Sequence, residues 1–298
     1  MTVFHILAAA AILMAALACA ILPFVAVWDR RLAIARRRSL YDKSAGQVES
    51  LTAGISIFFA GAMGLDLLVE GNIHQMMVGP WRLLWEGMVM IAAVAALSAV
   101  IVLYAKRGLR NAFSILSGLA AAASASFCVL LVWGVLCGAI HGASSEIEFA
   151  AVLGSVVSVD FILFTLFSVM LGAAVSYGLA LCWHILLRNR DDFGRDYYSF
   201  VLGMRSRQAA YAGLFLSMIA AVQYSLYPAI AKEVALSRLP FVGDCAEAVL
   251  TGGLLGLPAA FAFWYSMSLS SLPMQKRSYA FLALILMAVG AYCLMARI

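Results

Sequence analysis

Few side chains in this sequence can do chemistry, and most of those that can fall at one depth. The histidines are His5, His74, His141 and His184. Carboxylates stand at the edges of long apolar runs: Asp66, Glu86, Asp160 and Glu247. An acid inside lipid is costly and marks ion paths, relays or cofactor sites. A neutral imidazole in a helix bundle is a natural axial ligand for haem iron. His5, Asp66, Glu86, Asp160 and Glu247 therefore read as one polar layer, suited to a cofactor, a quinol head or a proton path. The plainer alternative is that helix ends at an interface tolerate carboxylates, with Glu86 and Glu247 favoured near helix N-termini.

Other chemistries find no support in the spacing. The six cysteines form no C-x-x-C pair, and those within apolar runs read as small packing residues. There is no H-E-x-x-H, no P-loop and no dinucleotide fingerprint. Gly252-x-x-x-Gly256 suits close packing of helices. No internal repeat is evident in the residues.

The elements that must position these side chains are set by composition. The 298 residues are 65% hydrophobic and 12% charged, against about 25% charged in an ordinary soluble domain. Mean hydropathy is +0.99. Soluble, disordered and coiled-coil classes are excluded, and so is a β-barrel, whose strands alternate in short segments. The reading is an all-α, polytopic membrane bundle forming one transmembrane domain over 1–298. Eight apolar segments are long enough to span, at roughly 4–27, 51–70, 84–105, 113–140, 155–187, 208–231, 245–268 and 279–296. The first reads as a spanning helix and not as a cleaved signal. The longest loops are expected at 28–50 and 188–207.

Charge sets the orientation. Arg30, Arg31, Arg36, Arg37, Arg38 and Lys43 follow the first segment; Lys106, Arg107 and Arg110 follow the third. Arg188, Arg190, Arg195, Arg205 and Arg207 follow the fifth, and Lys276 and Arg277 the seventh. The opposite side has only Arg82, Lys232, Arg238 and Arg297. The positive-inside rule puts the first group in the cytoplasm and both termini outside, in the periplasm. The net charge of +5 then reflects topology and anionic lipid, not nucleic acid. The expected location is the cytoplasmic (inner) membrane, multi-pass.

Several stretches together resemble subunit I of the cytochrome bd quinol oxidases, in shortened form. Phe4-His5 opens the first segment, Gly71-Asn72 and Val78-Gly79 precede Glu86-Gly87, and Trp183-His184-Ile185-Leu186-Leu187-Arg188-Asn189-Arg190-Asp191 closes the fifth. The resemblance implies a respiratory electron-transfer subunit with haem b held by His5 and Glu86 near the outer face. It also implies quinone and other membrane or outer-face redox subunits as partners. The sequence departs from that family at Phe161-Ile162-Leu163-Phe164-Thr165, where a histidine is expected, and at Leu250, where a methionine is. Only Lys232 to Asp244 stands where the family has a long quinol-binding loop. Two alternatives follow: a haem-free structural subunit of such a complex, or a transporter or ion-translocating subunit using Asp66 and Asp160.

Overall fold

A computed structural model of the chain describes residues 3–69, 80–140, 156, 158–191, 193–226 and 246–295. These residues form eight α-helices and one 3-10 turn, with no strand among them. The helices are α1 (Val3–Arg36), α2 (Ser39–Leu68), α3 (Pro80–Tyr104), α4 (Arg107–Ile140), α5 (Val159–Leu187), α6 (Arg195–Leu226), α7 (Ala246–Ser268) and α8 (Arg277–Met295). The 3-10 turn is Pro273–Lys276, between α7 and α8. Helices are the form that apolar segments of this length must take in lipid, since every backbone donor then pairs within its own segment.

Among the described residues, four helices are long and apolar enough to cross a membrane: Ser39–Leu68, Arg82–Tyr104, Gly108–Leu131 and Phe161–Leu187. Their outward faces carry exposed Ile57, Phe58, Leu97, Leu116, Leu119 and Leu166. Such surfaces suit acyl chains and would be a liability in water.

The expected loops at 28–50 and 188–207 are corrected. Residues 28–36 continue α1, and 39–50 are the first turns of α2, so the connection is only Arg37 and Arg38. Arg37 makes the turn with φ 51°. The run Asp29-Arg30-Arg31-Leu32-Ala33-Ile34-Ala35-Arg36 is highly charged, but Ala, Arg and Leu are strong helix formers and prolong the helix past the apolar core. Similarly, α6 begins at Arg195, after a turn in which Gly194 has φ 87°.

The helices fall into two units, Ala11–Phe164 and Thr165–Ile298 with Met1–Ala10. In the first, α3 packs against α2 and α4. Ser117 and Ser124 of α4 donate to the carbonyls of Ala95 and Met88 on α3, at 2.9 and 3.2 Å. Gly118 lets α4 approach the Phe24 ring of α1, because a Cβ there would stand 2.9 Å from it. Trp133 lies on Phe161 and Phe164, with ring centroids 5.6 and 5.5 Å away.

In the second unit, α7 packs against α6 and α8. The fully buried Trp264 of α7 is met by Gly178 of α5, where a Cβ would sit 2.8 Å from the indole. Gly256 brings α7 onto the α8 backbone, 2.9 Å from the Leu286 carbonyl if a Cβ were added. The close packing expected of the Gly252-x-x-x-Gly256 spacing is realised at Gly256. Cys19, Cys128 and Cys182 are buried thiols with no disulfide, as packing residues would be.

Candidate functional site

The densest polar site among the described residues lies in the first unit, around the last turns of the prolonged α1. Asp29 and Arg30 of α1 are buried, as are Ser44 and Glu49 of α2. Arg30 forms an ion pair with Glu49. The Arg30 guanidinium also donates to the Asn111 side chain of α4 at 3.1 Å. Ser114, one turn along α4, donates to the same Glu49 carboxylate at 3.4 Å. Asp29, beside Arg30, accepts a 2.8 Å hydrogen bond from Ser44. Three helices are thereby joined by polar bonds that only a helical 28–50 region could make.

Above this cluster, polar side chains continue inward. Glu49, Thr52 and Ser56 follow one face of α2, and Ser114 and Ser117 one face of α4; all are buried. Spacings of three and four residues place successive side chains one above another on a helix. Pro23 of α1, Glu49, Thr52, Ala99 and Val102 of α3, Ser114 and Ser117 line a small cavity. It has space for about one water molecule. Pro23 has no N–H, so the α1 carbonyl one turn earlier loses its helical donor. The Thr52 hydroxyl donates to the Val48 carbonyl at 2.8 Å, and that of Ser117 to Ala95. With their hydrogens so engaged, both hydroxyls present lone pairs as acceptors. Glu49, Thr52, Ser114 and Ser117 thus contribute to the lining, although the surface that faces the cavity is almost entirely apolar.

The second unit holds another buried polar group. His184 of α5, Arg205 and Ser206 of α6 are fully buried. The His184 Nδ1 is hydrogen-bonded to the Ala180 carbonyl, so Nδ1 carries the hydrogen. Arg205 donates to Gln208 at 2.9 Å, and its charge acts on the His184 ring. Tyr198 of α6 fastens the turn before it, donating to the Asp191 carbonyl at 2.6 Å.

The residues expected from sequence stand elsewhere. Asp66 is in the last turn of α2 and half-buried. Glu86 is in the second turn of α3, 45% exposed, and pairs with Arg82 at 3.4 Å. His5, Asp160 and Glu247 belong to α1, α5 and α7, but their side chains lie outside the described residues, as do His74 and His141. Among the described residues no group of three or more His, Cys, Asp and Glu could hold a metal ion. Glu86, the described member of the expected haem pair, is engaged by Arg82 on an open helix face. Among the described residues it is not enclosed as a haem ligand would be.

Sequence reasoning missed Asp29, Arg30, Glu49, Asn111 and Ser114. Reading 28–50 as a loop hid Asp29, Arg30 and Glu49, while Asn111 and Ser114 stand at the border of the apolar segment read over 113–140. The signal that could have found them is the helical spacing of Glu49, Thr52 and Ser56. No known protein family, curated protein or solved structure matches this chain.

Proposed function

We propose that this chain is an integral membrane subunit that takes up protons at its arginine-rich face and passes them inward through the first unit. The observation that carries the proposal is the buried Arg30–Glu49 pair, bonded to Asn111 and Ser114, with Glu49 also lining a water-sized cavity. Glu49 accepts a proton on its carboxylate from the Asp29 side and releases it to water in the cavity. Thr52 and Ser117 accept hydrogen bonds from that water and orient it. Arg30 balances the Glu49 charge in the low-dielectric interior and holds the carboxylate in place. The eight-span arrangement, with the arginine-rich face in the cytoplasm and both termini outside, makes this an uptake path from the cytoplasm. The ion-translocating alternative is thus moved from Asp66 and Asp160 to Glu49.

The setting we propose is a respiratory complex of the inner membrane, as the resemblance to the bd oxidases implies. Such a complex consumes or moves protons while redox partners carry electrons. The haem b of that reading rests on His5. The test is proton flux into liposomes holding the full chain, driven by a potassium diffusion potential and read with an internal pH dye. Wild type should acidify the lumen and Glu49→Gln should not. Equal flux in both would overturn the proposal.

A further inference from the structure

The two units share more than size. Apart from the first turns of α1 and α5, which fall on the other side of the division, each has four helices joined in the same rhythm. The first connection is short (37–38 and 188–194), the second long (69–79 and 227–245), and the third short (105–106 and 269–276). In each, the third helix packs against the second and the fourth. We infer that the chain is a tandem duplication of one four-helix unit, and that His184 with Arg205 is the second copy's counterpart of the Asp29–Glu49 site.

Burial fixes the register, because sliding a helix by one residue turns its face by about 100°. The register that lays Trp28 on Trp183 lays buried Ala26 on buried Leu181 and buried Asp29 on buried His184. On α2 and α6, laying Tyr41 on Tyr198 lays Gly46 on Gly203. The same register superposes buried Thr52 on Ala209, Phe59 on Leu216 and Met63 on Ala220, and exposed Phe58 on Phe215. On α3 and α7, Ala92, Ala99 and Val102 fall on Leu257, Trp264 and Met267, all buried. On α4 and α8, buried Ser117, Ala121 and Ala125 fall on Ala283, Met287 and Ala291, while exposed Leu116 and Leu119 fall on Leu282 and Ile285. A single apolar stripe can match another by chance. Four in order, with matching connections and matching packing, require a common unit. Identities are few because lipid-facing and packing positions accept many apolar residues, which is why the repeat is not evident in the residues.

The correspondence also shows how the copies differ. Glu49 becomes Ser206, Thr52 becomes Ala209, Ser114 becomes Ala280 and Ser117 becomes Ala283. The carboxylate and the acceptor hydroxyls of the first copy are therefore absent at the equivalent places in the second. Instead Val48 is replaced by Arg205 and Asp29 by His184, so an acidic site becomes a cationic one. With no carboxylate to take a proton and no acceptor hydroxyls to hold its water at the equivalent positions, the second copy lacks the parts the proposed path uses. On the proposed function, the chain has one proton path and not two.

Nitroxide scanning tests the duplication directly. Single cysteines are placed at Asn111–Ala125 and at Arg277–Ala291 of a cysteine-free full chain in liposomes, and oxygen accessibility is read by paramagnetic resonance. The two profiles should superpose in the register that lays Ser114 on Ala280. Profiles out of phase by one residue or more would overturn the duplication. In the same liposomes, Glu49→Gln should reduce proton flux to that of protein-free vesicles. About half the flux remaining would mean that the second copy conducts and would overturn the division of roles. A wild-type chain without flux would instead refute the proposed function, and the nitroxide profiles would still decide the duplication.

Discussion

Arg30 of α1 pairs with Glu49 of α2, while its neighbour Asp29 accepts from Ser44 of the same α2. Two adjacent residues thus fasten one helix to the next through opposite charges. A buried pair of this kind gains little over a well-packed apolar pair, but breaking it leaves a charge without compensation. Arg30→Met alone should therefore destabilise the detergent-solubilised protein by about 3–5 kcal/mol. Arg30→Met combined with Glu49→Met should restore most of that loss. Thermal unfolding of the two single variants and the double variant measures the coupling. Additive losses would show that the two side chains do not act as a pair.

The contact of α7 with α8 depends on a missing side chain. A Cβ at Gly256 would stand 2.9 Å from the Leu286 carbonyl and 3.3 Å from the Gly290 Cα. Backbone atoms cannot swing aside as a side-chain tip can. Gly256→Val should cost about 1–3 kcal/mol through overpacking, read as a lowered unfolding temperature. An unchanged temperature would mean that the helices do not meet there.

Glu86 should matter much less. Its partner Arg82 is 56% exposed and Glu86 itself 45%. An open pair of this geometry contributes less than about 1 kcal/mol. Glu86→Gln should leave both unfolding temperature and proton flux near wild type. A large loss of flux would place Glu86 on the path.

The haem expected at His5 is open to a direct assay. On the reading that the resemblance implies, the purified protein from haem-replete cells gives a reduced-minus-oxidised haem b spectrum, and His5→Ala removes it. A colourless wild-type protein would leave the haem-free subunit as the respiratory reading. Glu86→Gln in the same assay separates the two expected ligands.

The helical, membrane-spanning character was legible from composition and from runs such as Met88–Tyr104. Helix ends were less so, because hydropathy marks where lipid ends and not where the helix ends. Residues 28–36 show the difference: charge ends the apolar run at Trp28, yet Ala33 and Ala35 keep the helix going to Arg36. The site followed the same error. Asp29 and Glu49 fall within the stretch 28–50 that reads as a loop, while acids at apolar borders, such as Asp66 and Glu86, stand out in the sequence. Arg205 was hidden likewise, within a stretch read as a loop. Burial of these groups depends on neighbouring helices, which a single sequence does not display.

On the proposed function, Glu49 takes and releases a proton inside the bundle. Infrared difference spectra of the reconstituted full chain between high and low pH measure this most directly. A protonated-carboxyl C=O band should appear on acidification, shift in heavy water and be missing in Glu49→Gln but kept in Glu86→Gln. Identical difference spectra for wild type and Glu49→Gln would contradict it.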